Sequence, residues 1–471
     1  VAVGCGADDG SQEPLVSTGP PSVSTTTTTP LPPPDSAVPD SAVPEPPVPD
    51  TSDEPMDDTP ETSVALPAFS EESEALFDQA VLHEVSMEIS DRDLRELAAA
   101  TDERVPVILT VDGETAVGAG VRLKGNSQFQ ELDQKPAFSI ETDEFVDGLE
   151  LFDVDRFTLG NATWDHSFVS EQLVYELARE AGVPAARTAL ARVTVNGEAF
   201  GIYVMRETYD ERWLEQYFTD AGGNLYESPG GGPDTVLELR TNERREDTSD
   251  IDAVAEVVAT ASDDDYRAAI EELVDVQELL TYWAIEALTA HWDGYAYDLR
   301  PCPPTAGRPC VPGLADADSP PANPYPNNFY AYHDPETDRF VLIPHGADLA
   351  LGLAAGFTYD VAPTTPVLIP PKVDATVATR LWADPPFRDE LAERIRWVLD
   401  NVWDADAITQ RVDQLAGLVR ADGLTGTREF ITMTQFEEAL ADRKDFLARR
   451  PEAVWVELDE WQSGAASTQG D

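Results

Sequence analysis

The segment Ala191–Glu207, with the sequence ARVTVNGEAFGIYVMRE, carries the strongest fold signal in the chain. Apolar residues alternate with polar ones on both sides of Asn196-Gly197, a dipeptide that strongly favours a two-residue hairpin turn. The segment is therefore predicted to form two adjacent antiparallel strands. Ahead of it, residues 167–181 have apolar positions at helical spacing, and Gly182 marks a predicted helix end.

Strand-like alternation continues upstream of this hairpin, whereas helical periodicity dominates the second half of the chain. The predicted strands upstream of the hairpin are VLHEVSMEIS, VPVILTV, TAVGAGVRLKG, KPAFSIETD and FTLGN. Two more short strands are predicted on either side of a polar turn at 334–338, from the aromatic alternation of Phe329, Tyr330 and Tyr332 and the apolar run 340–343. The predicted helices cover residues 251–261, 264–273, 276–291, 386–402, 406–420 and 434–449. This distribution predicts an α+β fold with two lobes: an N-terminal lobe built on an antiparallel sheet with one key helix, and a mostly helical C-terminal lobe.

The charge of the chain limits its partners. Across 471 residues, 31 Lys and Arg stand against 90 Asp and Glu, which gives a formal net charge of −59. Such a surface repels nucleic acid and anionic lipid, so binding to nucleic acid is not expected. No stretch of about 18 apolar residues is present, so contact with a membrane is expected only through an N-terminal lipid anchor.

The N-terminal sequence suggests that anchor. Small residues precede Cys5 in VAVGCG, as in the end of a bacterial lipoprotein signal peptide, so residues 1–5 are interpreted as its remnant and Cys5 as the lipidated residue. Residues 6–75 are rich in Pro, Thr and acidic residues and are predicted to form a disordered tether. An extracytoplasmic, lipid-anchored location at the cell envelope follows from these two features.

The ordered part is expected to span residues 76–460, with an N-terminal lobe over about 76–230 and a C-terminal lobe over about 231–460. Residues 461–471 are predicted to be a disordered tail. Cys302 and Cys310 lie in a Pro-rich loop and are close enough in sequence to form a local disulfide in an oxidising compartment.

Common catalytic motifs are missing from the sequence, including HExxH, the Walker loop, GxGxxG and paired CxxC. The turn Lys124-Gly125-Asn126-Ser127, followed by Lys135, has the residues needed to bind phosphate through backbone N–H groups and a lysine, although an ordinary hairpin explains it equally well. Glu171, near the start of the predicted helix 167–181, either stabilises the helix dipole or orients Lys135.

Three further polar residues follow the predicted helix 276–291. Asp293, in AHWDGY, is a candidate general base, with a simple turn residue as the alternative. Asn328 and Asp348 are oxygen donors suited to a hard cation such as Mg²⁺. Protein kinases carry the same kinds of residue in the same order: a lysine, a helix glutamate, a base, an asparagine and a strand-end aspartate. Phosphoryl transfer in these enzymes depends on positioning and charge neutralisation.

The same residues carry a resemblance to a known family. The runs GVRLKGNSQF, KPAFSIE, VTVNGEAFGIYVMRE and NNFYAYHDPETDRFVLIPHGADLALG are similar to the spore coat protein H (CotH) kinase family over about residues 80–450. Members of this family resemble atypical protein kinases in fold. The resemblance implies transfer of phosphate from ATP, with Mg²⁺ or Mn²⁺, to Ser or Thr of a surface or envelope protein.

The resemblance also implies a role for individual residues. Asp293 would be the catalytic base, and Asn328 and Asp348 would be metal ligands. Lys135 would be the main phosphate lysine with Glu171 as its partner, although Lys124 is an alternative for the main role. The remaining nucleotide-binding candidates are Ser127, in the phosphate-side turn, and Glu207, near the adenine.

One departure from the family pattern keeps a second function open. The family commonly has Pro-Trp-Asp-x-Asp where this chain has Pro344 to Asp348, so Gly346 stands in place of the first aspartate. Loss of a carboxylate weakens a two-metal site. The alternative hypothesis is therefore a non-catalytic pseudokinase that acts as a surface-binding, adhesive or structural lipoprotein.

Overall fold

The computed structural model describes residues 69–99, 103–125, 129–228, 237–298, 325–352 and 361–464. All of them lie within the unit Pro60–Asp471. The predicted lipidation site Cys5, most of the predicted tether, Ser127, and the cysteines 302 and 310 lie outside the described residues.

The first half of the described chain forms a closed barrel. Its strands are β1 (Leu82–Glu88), β2 (Val105–Val111), β3 (Glu114–Lys124), β4 (Ala137–Glu141), β5 (Arg156–Gly160), β6 (Thr188–Val195) and β7 (Glu198–Glu207). The strand order is β1-β2-β3-β4-β5-β7-β6, and β6 returns to pair with β1. That closing pair is parallel, whereas the neighbouring pairs are antiparallel.

The barrel departs from the expected antiparallel sheet in its closure. Alternation in the sequence identifies strands and their inward faces, but it does not reveal that the first and sixth strands pair in parallel. Closure removes exposed edges and encloses an apolar interior that includes Met87, Leu109 and Phe138, each 0% exposed.

The hairpin between β6 and β7 confirms the expectation drawn from Asn196-Gly197. Both turn residues have positive φ, at 48° and 80°, as this turn type requires. The Asn196 side chain also bonds the backbone N–H and carbonyl oxygen of Ile89, at 2.8 and 2.9 Å. The turn is therefore tied to the end of β1 as well as to its own hairpin.

A second sheet lies in the C-terminal half. It contains β8 (Leu225–Glu227), β9 (Glu238–Leu239), β10 (Phe329–Asp334) and β11 (Arg339–Pro344), in the order β11-β10-β8-β9. The β10–β11 hairpin was predicted from its aromatic alternation. The strands β8 and β9 were not, because three and two residues are too short to show a period.

The described helices are as follows: α1 (Glu71–Leu76), α2 (Asp91–Ala99), α3 (Ser170–Glu180), α4 (Glu211–Tyr217), α5 (Ser249–Thr260), α6 (Asp263–Glu271), α7 (Val276–Thr289), α8 (Thr376–Trp382), α9 (Pro385–Asn401), α10 (Ala405–Asp422) and α11 (Met433–Gln462). Every predicted helix is present. The centre of the C-terminal half is α7, since almost all of its residues are buried. No helix among the described residues is long and apolar enough to cross a membrane.

The ends of the ordered part differ from the predicted boundaries. Helix α1 begins at Glu71, inside the segment expected to be a tether, because Ser70 caps it and Leu76 is buried. Helix α11 continues through Pro451 to Gln462, although periodicity predicted an end at 449. Its last turns are retained because Val454 and Leu458 are buried in the main core.

Candidate active site

Asp293 and Asn328 are brought together by the chain segments that follow α7 and precede β10. The Asp293 carboxylate accepts hydrogen bonds from Asn328 Nδ2 at 2.9 Å and from Asn327 Nδ2 at 3.2 Å. Asp293 is half-buried, and each of its two oxygens accepts one of these hydrogen bonds. A carboxylate held in this way can accept a proton from a hydroxyl group at a fixed position.

The loop that carries Asp293 is fastened to α7 by Glu286. This buried carboxylate accepts the backbone N–H groups of Tyr295, Ala296 and Tyr297, at 2.5, 2.8 and 3.0 Å. A Cβ atom on Gly294 would lie 2.0 Å from Glu286 Oε1, so only glycine fits there. Burial raises the pKa of Glu286 even though the three N–H groups favour its charged form.

Asn328 supplies an oxygen that fits a cation. Because its Nδ2 donates to Asp293, the side-chain orientation is determined, and Oδ1 accepts no hydrogen bond from any residue in the described ranges. Asp348 lies half-buried in a short 3₁₀ turn, Ala347–Leu349, just after β11. An amide oxygen and a carboxylate are hard ligands of the kind Mg²⁺ and Mn²⁺ prefer.

This donor set is sparse. Within the described ranges, no group of three or more His, Cys, Asp or Glu side chains is arranged to hold a metal ion. Asn328 and Asp348 would leave most positions of an octahedral ion to other ligands, which is the usual situation for Mg²⁺ bound with a nucleotide phosphate.

The structure gives a physical reason for glycine at position 346. Gly346 has φ of 54°, and a Cβ atom there would lie 2.7 Å from Cγ and Oδ1 of Asn328. The backbone N–H of His345 also donates to the carbonyl oxygen of Asn328, at 3.1 Å. The asparagine therefore occupies the space that a side chain at position 346 would need.

Two cations face the same region from the barrel. Lys124, at the end of β3, is half-buried, and its ammonium group forms no hydrogen bond or ion pair with any described residue. Burial is the main cause that lowers the pKa of Lys124 to about 7, and the positive charge of Arg206 on β7 adds to it. A half-buried cation beside Arg206 favours an anion, although the carboxylates of Glu227 and Glu171 offset part of this positive charge and Glu171 is already paired with Arg206.

His345, which follows β11, interacts with the charges of both barrel cations. Burial lowers the pKa of His345 well below its ordinary value, and the charges of Arg206 and Lys124 lower it further. His345 directly precedes Gly346 and contacts the rings of Tyr209 and Tyr330. His345 is therefore close enough to both barrel cations to interact with their charges.

The expected pairing of Lys135 with Glu171 is not formed. Glu171 Oε1 lies 2.5 Å from Arg206 Nη1 and accepts a hydrogen bond from Tyr175 at 2.9 Å. Lys135 is instead fully buried and bound to Glu429, which lies between α10 and α11. Sequence order suggested the first pair, but three-dimensional packing brings a carboxylate from far along the chain to Lys135.

Glu207, which is expected near an adenine, pairs with an arginine in the structure. Its buried carboxylate binds the guanidinium of Arg187, with Oε1 3.0 Å from Nε, and accepts the Arg187 backbone N–H at 2.6 Å. Both of its oxygens are used in this contact. The Glu207 side chain therefore supports the barrel through Arg187, and its expected place near an adenine stays a prediction.

Sequence reasoning missed four charged residues that contact candidate site residues or the loops that carry them: Arg206, Glu286, Lys372 and Glu429. Arg206 could have been noticed, since it precedes Glu207 in the most informative hairpin. Glu429 and Lys372 carry no local motif, and only the folded structure shows that they reach buried positions beside residues distant in sequence.

Comparison with known proteins identifies a family and a relative of this chain. Residues 121–454, well over half of the chain, match the family described as CotH kinase protein. The chain is also similar to a protein named Invasin CotH2 from the fungus Rhizopus delemar, with 24% identity over 160 residues. That similarity covers 30% of this chain and 27% of the fungal protein, so it spans about a quarter of that relative's length.

Proposed function

The chain belongs to the CotH kinase protein family, and on that premise we propose that it is an atypical protein kinase that uses ATP and a divalent metal ion. The acceptor is a Ser or Thr hydroxyl of a surface or envelope protein. In this reading the barrel is the N-terminal lobe of a kinase-like fold, and the helices around α7 form the C-terminal lobe.

The observation that carries the proposal is the position of Lys124. Its ammonium group forms no hydrogen bond or ion pair with a described side chain, and the charge of Arg206 disfavours it; its pKa is lowered to about 7 even though the carboxylates of Glu227 and Glu171 oppose that shift. A fold tolerates such an arrangement when an anion occupies it in the working state. Phosphate groups of a nucleotide meet that requirement, because a lysine and an arginine together neutralise them.

The remaining site residues divide the work of transfer. Asn328 Oδ1 and Asp348 would hold Mg²⁺ or Mn²⁺, which when bound neutralises charge on the phosphates. Asp293 accepts the proton of the acceptor hydroxyl while the oxygen of that hydroxyl forms a bond to the γ-phosphorus. The bond from the γ-phosphorus to the bridging oxygen breaks, and ADP leaves with that electron pair.

Lys124 replaces Lys135 as the main phosphate lysine in this proposal. Lys135 is neutralised by Glu429 and is 1% exposed, whereas Lys124 borders the space next to His345. Glu171 orients Arg206 rather than a lysine, at an N–O distance of 2.5 Å. Ser127 remains a proposed phosphate-side residue, outside the described ranges.

The location belongs to the same proposal. Cys5 would carry a lipid, residues preceding the barrel would serve as a tether, and the kinase domain would act on proteins of the envelope. The Cys302–Cys310 disulfide would form in that oxidising compartment.

A second candidate function is adhesion or another binding role without catalysis. It is favoured by Gly346, which leaves the site with one fewer carboxylate than the family pattern, and by the similarity to a fungal protein named an invasin. In this case the nucleotide site would be vestigial or used only for binding.

Transfer of label from [γ-³²P]ATP distinguishes the two functions. The full chain is incubated with Mg²⁺ or Mn²⁺ and casein as an acceptor, beside Asp293→Asn, Asp348→Asn and the control Asp400→Asn, an exposed residue of α9. We expect label on casein or on the chain, lost in the first two variants and kept in the control. No label with either metal, together with no change in melting temperature on adding ATP, would refute the kinase function.

A further inference from the structure

Lys372 is one of the most completely buried charged groups in the described chain, with 0% exposure. It lies in the segment that precedes α8, and its carbonyl oxygen accepts hydrogen bonds from the Ala375 backbone N–H and the Thr379 hydroxyl, both at 3.1 Å. The start of α8 thus holds this residue firmly. Nothing in the proposed transfer step uses it.

The ammonium group of Lys372 joins the two segments that carry Asp293 and Asn328. Nζ donates to the carbonyl oxygen of Gly294 at 2.7 Å and to that of Tyr325 at 3.1 Å. Gly294 directly follows Asp293, and Tyr325 lies three residues before Asn328. One side chain therefore determines the spacing between the base and the candidate metal ligand.

Further contacts strengthen this connection. The Gly294 carbonyl oxygen also accepts the backbone N–H of Asn327 at 3.0 Å, and the Lys372 backbone N–H donates to the carbonyl oxygen of Ala296 at 3.0 Å. The Glu286 carboxylate holds the same loop by accepting hydrogen bonds from the loop's backbone N–H groups. Lys372 binds carbonyl oxygens and Glu286 binds N–H groups, so the Asp293 loop is held at both kinds of backbone group.

Nearby charges balance the cation. Burial lowers the pKa of Lys372, and the negative charges of Asp293, Glu286 and Asp298 oppose that effect. A buried ammonium is retained when its hydrogen bonds and neighbouring carboxylates compensate for lost hydration. The hydrogen bonds that compensate the Lys372 ammonium group come from the site loops, because every described acceptor of Nζ is a backbone oxygen of those loops.

We propose that Lys372 is a positioning residue that sets the hydrogen bond between Asn328 and Asp293, and with it the alignment of base and metal ligand. This inference rests on the proposed kinase function for its effect on rate. Its structural part, the 2.9 Å contact between Asn328 Nδ2 and Asp293 Oδ2, stands apart from catalysis.

The test compares Lys372→Met and Lys372→Arg with Lys444→Met, a control on α11 whose lysine is partly exposed and paired with Asp413. Crystal structures report the Asn328–Asp293 distance, and kinetics report kcat and the KM for ATP. In Lys372→Met we expect the distance to exceed 3.5 Å and kcat to fall about 100-fold. The KM for ATP should change less than about threefold, because Lys124 and Arg206 are untouched.

Lys372→Arg, which keeps a charged donor, should recover part of kcat, and Lys444→Met should match the wild type. If the methionine variant does not fold, Lys372→Gln, which is neutral and shorter than lysine, decides on the same two readouts. The inference is overturned if the neutral Lys372 variant that folds keeps the Asn328–Asp293 hydrogen bond or has the kcat of the wild type. If the wild type transfers no phosphate, the proposed function fails and the crystallographic distance alone decides the role of Lys372.

Discussion

Lys135 and Glu429 form a buried ion pair between residues that are almost three hundred positions apart in the chain. Lys135 Nζ lies 2.7 Å from one carboxylate oxygen of Glu429 and 2.9 Å from the other, and the two side chains are 0% and 1% exposed. Glu429 also accepts the backbone N–H of Ile202 on β7, at 3.3 Å. The pair therefore fastens the segment between α10 and α11 to the barrel.

Removing one partner of this pair should destabilise the protein. Lys135→Met leaves the Glu429 carboxylate buried without a counterion, so we expect the free energy of unfolding to fall by about 3–5 kcal/mol in chemical denaturation. The double variant Lys135→Met/Glu429→Leu should recover much of that loss, because neither charge then remains buried. A large loss of ATP affinity with unchanged stability would instead make Lys135 the phosphate lysine.

Lys124→Met, in contrast to Lys135→Met, should stabilise the protein and weaken its binding of ATP. Its ammonium is disfavoured by burial and by Arg206, so removing it should raise the melting temperature at pH 6 by about 1–3 °C. Affinity for ATP should fall at least about tenfold, since a charge-assisted contact to phosphate is lost. Calorimetry measures both, with Lys444→Met as the control. A variant that is less stable and binds ATP normally would contradict the proposed role.

ATP binding should depend on pH through Lys124. Its pKa is lowered from 10.5 to about 7, so the ammonium that binds phosphate is lost as pH rises above 7 in the free protein. We expect Kd for ATP to increase from pH 7 to 9 in the wild type and to change less in Lys124→Met. Titration in buffers of different ionisation enthalpy should show proton uptake on binding. Equal pH profiles for the two proteins would refute this assignment.

The same group has a defined effect on folding stability. Between about pH 7 and 10.5 the unfolded chain holds a proton on Lys124 that the folded chain has released. The contribution of this group to the free energy of unfolding therefore rises with pH across that interval. The difference in stability between Lys124→Met and the wild type should accordingly shrink from pH 6 to pH 9.

Restoring the family's missing carboxylate should not restore a metal site. In Gly346→Asp the new Cβ atom would lie 2.7 Å from the Asn328 side chain, and φ of 54° disfavours a side chain. We expect a loss of about 1–3 kcal/mol of stability and weaker Mn²⁺ binding as Asn328 is displaced. Gly417→Ala in α10, where a Cβ atom meets nothing within 4 Å, is the control. Tighter Mn²⁺ binding by Gly346→Asp would contradict this account.

The sequence allowed the elements of the site to be predicted, but not all of their partners. Asp293 and Asn328 were identified separately, and the structure joins them at 2.9 Å. Lys124 was recognised as an alternative to Lys135. The structure distinguishes the two lysines, because Lys135 forms a buried ion pair with Glu429. Arg206, Glu286 and Lys372 were missed since their contacts depend on backbone groups and side chains from other elements.

The amino-acid sequence by itself determined the Asn196-Gly197 hairpin, the barrel strands, the family and the helices α3, α5, α6, α7, α9, α10 and α11. These follow from periodicity, turn chemistry and local motifs, which act over a few residues. The tertiary structure alone decided that β6 closes the barrel against β1, that Glu171 meets Arg206, and that Glu429 meets Lys135. A buried charged group needs an opposite charge beside it, and tertiary packing decides which residue supplies that charge. No local sequence pattern encodes the partner.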